Sequence, residues 1–268
     1  MKQRVITAII ALILFIPVII FGGWAIEITA TVLAVIGVYE LFRMKGIEFK
    51  SIEGVLASLA TISLVFPIHK YLGFIPEGTD VLSIFYILIM GFLALTVFSK
   101  NTYSIEQAAF PALVTLYVGM GFKYFLLARG EGPSLVILMF GLMVVWTTDI
   151  GAYMFGRAFG KNKLAPNVSP NKTLEGSAGG ILSAVVFALI YLNFYPAQEY
   201  FGFNLVTMVI FTIIFSIVGQ FGDLVESAYK RHFGVKDSGR ILPGHGGILD
   251  RFDSMLFVFP VMHILGLF

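Results

Sequence analysis

The chain has no cysteine in its 268 residues, which excludes a disulfide framework, a thiolate metal site and a cysteine nucleophile. It is also poor in charge. Asp, Glu, Lys and Arg make up 13% of it, against about a quarter in soluble domains. Hydrophobic residues take their place, at 58% with a mean hydropathy of +0.90. A soluble fold of this length has too small a core to hide that much apolar surface. Uncharged apolar runs long enough to cross a bilayer recur from end to end. A soluble enzyme, a disordered chain and a singly anchored protein are therefore excluded. Strand-length alternation of apolar and polar residues is absent as well, so helices rather than a closed barrel satisfy the backbone in lipid. The expected class is an all-α, polytopic integral membrane bundle.

Nine spans are expected, approximately over 5–23, 26–43, 54–69, 80–99, 107–128, 134–156, 177–195, 203–222 and 247–267. The first follows Lys2 and Arg4 as a signal peptide would. Its apolar stretch is too long for one and lacks a small-x-small cleavage site, so a retained helix is expected. Fifteen of the eighteen Lys and Arg fall on one side of this arrangement, and only Lys70, Lys123 and Arg129 on the other. The positive-inside rule then places the N-terminus in the cytoplasm, in an inner membrane. Residues 1–130 read as a frame of helices, and 131–268 as the part carrying a site, within one bundle.

Polar residues inside the spans concentrate in the second half. In the first, Glu40 and Lys123 sit near helix ends, where long side chains reach the interface. In the second, Asp149 lies within the sixth span, Asp223 and Glu226 end the eighth, and Asp250 and Asp253 begin the ninth. All five fall toward the cytoplasmic side. Asp223, Glu226 and Lys230 are spaced i, i+3, i+7, on one helix face, and Asp250 and Asp253 are again i, i+3. Two helices thus present four acids to one cytoplasmic cavity, suited to a hard divalent cation such as Mg²⁺ bridging protein and phosphate. The alternative is a set of salt bridges to Lys230, Arg231 and Arg251. The cost of carboxylates at membrane depth favours a site.

Two loops adjoin these acids. Residues 156–176 are rich in Lys, Asn, Ser and Gly, with Pro166 and Pro170 disfavouring continuous helix. Lys ammoniums and free backbone N–H groups suit phosphate oxygens, although a basic loop touching anionic lipid headgroups fits equally well on charge alone. The second loop ends in Pro243-Gly244-His245-Gly246-Gly247 and runs into the ninth span. Its glycines permit close approach of backbone to a ligand. It is neither a Walker loop nor a dinucleotide fingerprint. His245 suits a phosphate or base contact better than a zinc ligand, because the other three histidines are scattered.

The stretch from Ser227 to Asp253 closely resembles the long signature of the phosphatidate cytidylyltransferases, or CDP-diacylglycerol synthases. The matching elements are Ser227, Lys230-Arg231, Lys236-Asp237, Pro243, His245-Gly246-Gly247, Asp250-Arg251 and Asp253. Tyr229 stands where the pattern usually has an aliphatic residue or Phe. Residues 149–176 resemble the family too, through Gly-Arg-x-Phe-Gly-Lys, then Ser169-Pro170-Asn171-Lys172-Thr173 and Glu175-Gly176. The first half resembles it only in being several apolar spans.

The resemblance implies that CTP and phosphatidic acid give CDP-diacylglycerol and pyrophosphate at the bilayer, with Mg²⁺ required and a second cation left open. It implies no nucleic-acid partner and allows a homodimer. Asp223 and Asp250 are then expected to hold the metal, with Asp149, Glu226 and Asp253 as supporting or alternative ligands. Lys163, Lys172, Thr173, Lys230 and Arg231 are expected to bind substrate phosphates, and His245, Gly246 and Gly247 to cradle the nucleotide. Arg251 is expected to pair with an acid and brace the site. The nearest rival is a CTP-dependent polyprenol or dolichol kinase, which would release CDP. The Asp-Gly-x-x-Ala-Arg pattern of CDP-alcohol phosphotransferases is absent. A transporter would be expected to show internal repeats, and none is visible. A non-catalytic lipid-binding scaffold would not be expected to submerge five carboxylates.

Overall fold

The computed structural model describes residues 2–73, 80–130, 134–244 and 246–268. It is overwhelmingly helical. The long apolar runs become α1 (Lys2–Phe21), α2 (Gly23–Lys45), α3 (Ile52–Val65), α5 (Val81–Phe98), α6 (Ile105–Arg129), α7 (Ser134–Phe159), α8 (Leu174–Phe194) and α10 (Leu205–His232). Short helices α4 (Ile68–Tyr71), α9 (Ala197–Phe201) and α11 (Leu249–Phe252) lie between them, and α12 (Met255–Ile264) closes the chain. Among the described residues six helices, α2, α5, α6, α7, α8 and α10, are long and apolar enough to cross a membrane. Much of their outward surface is Leu, Ile, Val and Phe. On α5 only Phe85 and Phe92 are buried, while Ile87, Met90, Leu93 and Val97 are exposed. That inverts the surface of a soluble protein and marks an integral membrane protein.

The helix ends follow the local chemistry. Gly46 stops α2 in the left-handed region at φ 78°. The side chains of Ser51, Asp80 and Asn204 each accept a backbone N–H at the starts of α3, α5 and α10. Three expectations need correction. The third span stops at Val65, because Phe66 is extended ahead of Pro67. The ninth is not one helix but α11 and α12, interrupted at residues 253 and 254. The fold is also not purely helical, because the basic loop after α7 forms an antiparallel hairpin of β1 (Lys163–Ala165) and β2 (Ser169–Thr173).

The chain divides into two compact units, Met1–Leu126 with Asp237–Leu249, and Leu127–Lys236 with Asp250–Phe268. In the first, α3 packs on α2 and α5. In the second, α8 lies along α7, and α10 packs on α8, α7 and α12. The α7–α8 approach depends on small residues. A Cβ at Gly180 would stand 2.8 Å from the carbonyl oxygen of Thr148. Thr148 also donates its hydroxyl to Ser216 at 2.9 Å, joining α7 to α10 inside an apolar core that includes Phe140, Phe215 and Phe259.

Candidate active site

The site is built in the second unit from α7, the hairpin, the first turn of α8, the end of α10 and the start of the α11–α12 segment. Glu175, at the start of α8, accepts the backbone N–H groups of Lys161 and Asn162 at 3.1 and 3.2 Å and the Asn162 amide at 2.7 Å. Arg231 donates to the Val168 carbonyl at 3.2 Å, tying the hairpin turn to the end of α10. Thr173 caps α8 by accepting the Gly176 N–H at 3.1 Å. The hairpin is therefore anchored at both its base and its turn.

That anchoring carries Lys172 to Asp223, with which it forms an ion pair. Asp223 also accepts from Ser227 at 3.3 Å. One helical turn on, Lys230 donates to both Glu226 and Asp250, the latter at 2.7 Å. Glu226 is fully buried, and its Oε1 has no hydrogen-bond partner among the described residues. Asp149 interacts electrostatically with Asp223, Lys172 and Arg251. Asp253 interacts with Asp223, Asp149 and Lys230. Gly222 makes this approach possible, since a Cβ there would lie 2.7 Å from the Asp253 carbonyl oxygen. All five acids inferred from the sequence thus share one electrostatic neighbourhood with Lys172, Lys230 and Arg251.

A cavity of about 450 Å³ opens beside them, lined by Asp149 and Asp223, by Lys172 and Arg157, and by Ser177 and Gln220. Acids and bases on one wall suit a ligand that is a polyanion accompanied by a cation. The alternative of ion pairing holds in part: Glu226 and Asp250 share Lys230, and Asp223 holds Lys172. No three acidic or histidine side chains converge on one point at metal-ligand spacing among the described residues. Their chemistry nonetheless fits a hard cation. Five carboxylates share the neighbourhood with three basic side chains, and one fully buried carboxylate oxygen lacks a donor.

The other inferred contacts are distributed differently. Lys163 is exposed on β1, opposite Thr173. Thr173 lines the cavity while its hydroxyl caps α8, and the Arg231 side chain holds the hairpin turn. Gly246 and Gly247 belong to the first unit, where the Leu242 N–H bonds the Gly246 carbonyl at 3.0 Å. His245 lies outside the described residues. Of the lining residues named above, Arg157, Ser177 and Gln220 are not among the candidates read from the sequence. Gln220 precedes Asp223 by three positions on the same helix face, a signal that was available. Arg157 was visible only as part of a basic loop. Glu40 is a correction. It does not reach an interface but is fully buried.

The family model described as the Cytidylyltransferase family matches residues 2–268. The chain belongs to the cytidylyltransferase family. It is similar to proteins named phosphatidate cytidylyltransferase from three staphylococci. Identity is 47% to that of Staphylococcus epidermidis, 46% to that of Staphylococcus haemolyticus and 45% to that of Staphylococcus aureus. Each similarity covers 99% of this chain and 98% of the relative. Membership thus extends through the helices of residues 1–130, where the sequence pattern alone was not specific. It also gives this cytidylyltransferase a reason for bases on the cavity wall, because a nucleoside triphosphate is a polyanion.

Proposed function

We propose that this chain transfers the cytidylyl group of CTP to phosphatidate, forming CDP-diacylglycerol and releasing pyrophosphate. The observation that carries this is near-full-length similarity, at 45–47% identity, to proteins named for that activity. The acid–base wall of the cavity supports it. A phosphate oxygen of phosphatidate attacks the α-phosphorus of CTP, a P–O bond forms, and the bond to the β-phosphate oxygen breaks. A phosphate monoester is largely ionised near neutral pH, so no general base is needed. The barrier is dominated by bringing two anions together in line.

Lys172 and Arg157 line the cavity, and their role in this reading is to neutralise phosphate charge there. Asp223 and Asp250 have the oxygen donors to hold Mg²⁺, with Asp149, Glu226 and Asp253 completing the negative field. A divalent cation held by these carboxylates would supply charge neutralisation for the triphosphate. Lys172 pairs with Asp223 in this structure. A triphosphate offers that ammonium a more highly charged partner and releases the carboxylate. The glycine loop and His245 are assigned to the nucleotide from the sequence pattern. The asymmetry of Lys and Arg assigns the site to the cytoplasmic face of an inner membrane.

The purified chain, given phosphatidate and CTP labelled in the α-phosphate, should transfer label to lipid with equimolar pyrophosphate, and chelation of Mg²⁺ should abolish this. Release of labelled CDP would instead identify a lipid kinase. Movement of an unchanged solute across sealed vesicles, without chemistry, would identify a transporter.

A further inference from the structure

Glu40 is an acid in the apolar helix α2, and its exposure is 0%. A buried carboxylate costs several kcal/mol unless donors surround it. Here the donors come from the far end of the sequence, within the same unit. The Ile248 N–H donates to Oε1 at 2.9 Å, the Leu249 N–H to Oε2 at 2.9 Å, and the Ser238 hydroxyl to Oε2 at 3.0 Å. Gly239 and Gly247 pack directly on the carboxylate, and a Cβ at either would strike its oxygens. One side chain therefore clasps both ends of the loop between Ser238 and Ile248. Within the clasp the chain turns through Gly244 and Gly246, both at positive φ of 79° and 85°. This is the glycine loop of the family-like motif, and it leads directly into Asp250.

We propose that Glu40 is a positioning residue for cytidylyl transfer. It fixes the conformation of the 238–249 loop, the loop that the sequence pattern assigns to the nucleotide. This rests on the reading of that loop as a nucleotide contact. The chemistry makes glutamine a sharp probe. Both carboxylate oxygens accept, so in Glu40→Gln an amide NH₂ must face an N–H or O–H donor whichever way it turns. Size is kept and one acceptor becomes a donor.

Glu40→Gln should raise the KM for CTP about tenfold or more, the loss associated with one hydrogen bond to a charged group. The KM for phosphatidate and the fraction of folded protein should change little. Ser238→Ala, which deletes one of these donors, should shift the CTP KM in the same direction by less. Hydrogen exchange supplies a readout independent of activity. In Glu40→Gln the Leu242, Ile248 and Leu249 amides should exchange about tenfold faster, with the amides of α7 and α8 unchanged. Unaltered exchange at those amides, or a wild-type CTP KM in both variants, would overturn the proposal. If exchange accelerates while the CTP KM stays constant, the clasp stands but the loop does not serve the nucleotide. A failure of the cytidylyltransferase reading would appear separately, as absence of lipid labelling by the wild-type chain.

Discussion

Lys230 shows what individual side chains do in this site. It is 14% exposed and lies between Glu226, which is fully buried, and Asp250, at 7%. Removing its charge would strand two carboxylates in a low-dielectric interior. Lys230→Met should therefore lower stability by about 3–5 kcal/mol, the cost of breaking a buried ion pair from one side. Thermal unfolding in detergent checks this, and an unchanged midpoint would mean that water reaches both acids. The shared face of Asp223, Glu226 and Lys230 was legible in the sequence because helical periodicity alone defines it. The partner of Asp223 was not. Lys172 stands 51 positions earlier, and only the hairpin brings it across. Glu40 was misjudged for a similar reason. Nearness to a helix end suggests an interface, but its donors lie about two hundred residues away in sequence.

At the scale of elements, the long helices were legible because a bilayer demands apolar runs of fixed length. The hairpin was not. Its second strand reads Ser-Pro-Asn-Lys-Thr, without the β-branched or aromatic alternation that signals a strand. Contacts from elsewhere, those of Glu175 and Arg231, hold it in place. The break in the last apolar segment was equally hidden, since no proline marks residues 253 and 254. It matters because it brings the Asp253 backbone against Gly222. Gly222→Ala places a Cβ 2.7 Å from that carbonyl oxygen. One of the two segments must shift, at a cost of about 1–3 kcal/mol. Turnover should fall about tenfold with a lowered thermal midpoint. Wild-type turnover and stability would show that α10 and the Asp253 backbone separate without consequence.

For the molecule as a whole, the apolar exterior and the scarcity of charge answer to one requirement. A bilayer-resident lipid phosphate and a water-soluble triphosphate must meet at a single cavity. Of the nine apolar segments expected from the sequence, six reach spanning length and composition among the described residues, while the Ile10–Phe21 stretch of α1, α3 and α12 fall short. Hydropathy sees composition and is blind to how a short helix is seated among its neighbours. The role proposed for the acids around Asp223 is to carry the transfer chemistry. It is tested most directly by the rate at which α-labelled CTP labels phosphatidate in the presence of Mg²⁺, measured in parallel for the purified chain and for Asp223→Asn. Asparagine keeps the shape and removes the charge. A loss of about a hundredfold or more is expected, the scale seen when a pre-organised electrostatic group is removed, in a variant that remains folded. Equal rates in the two proteins would contradict it.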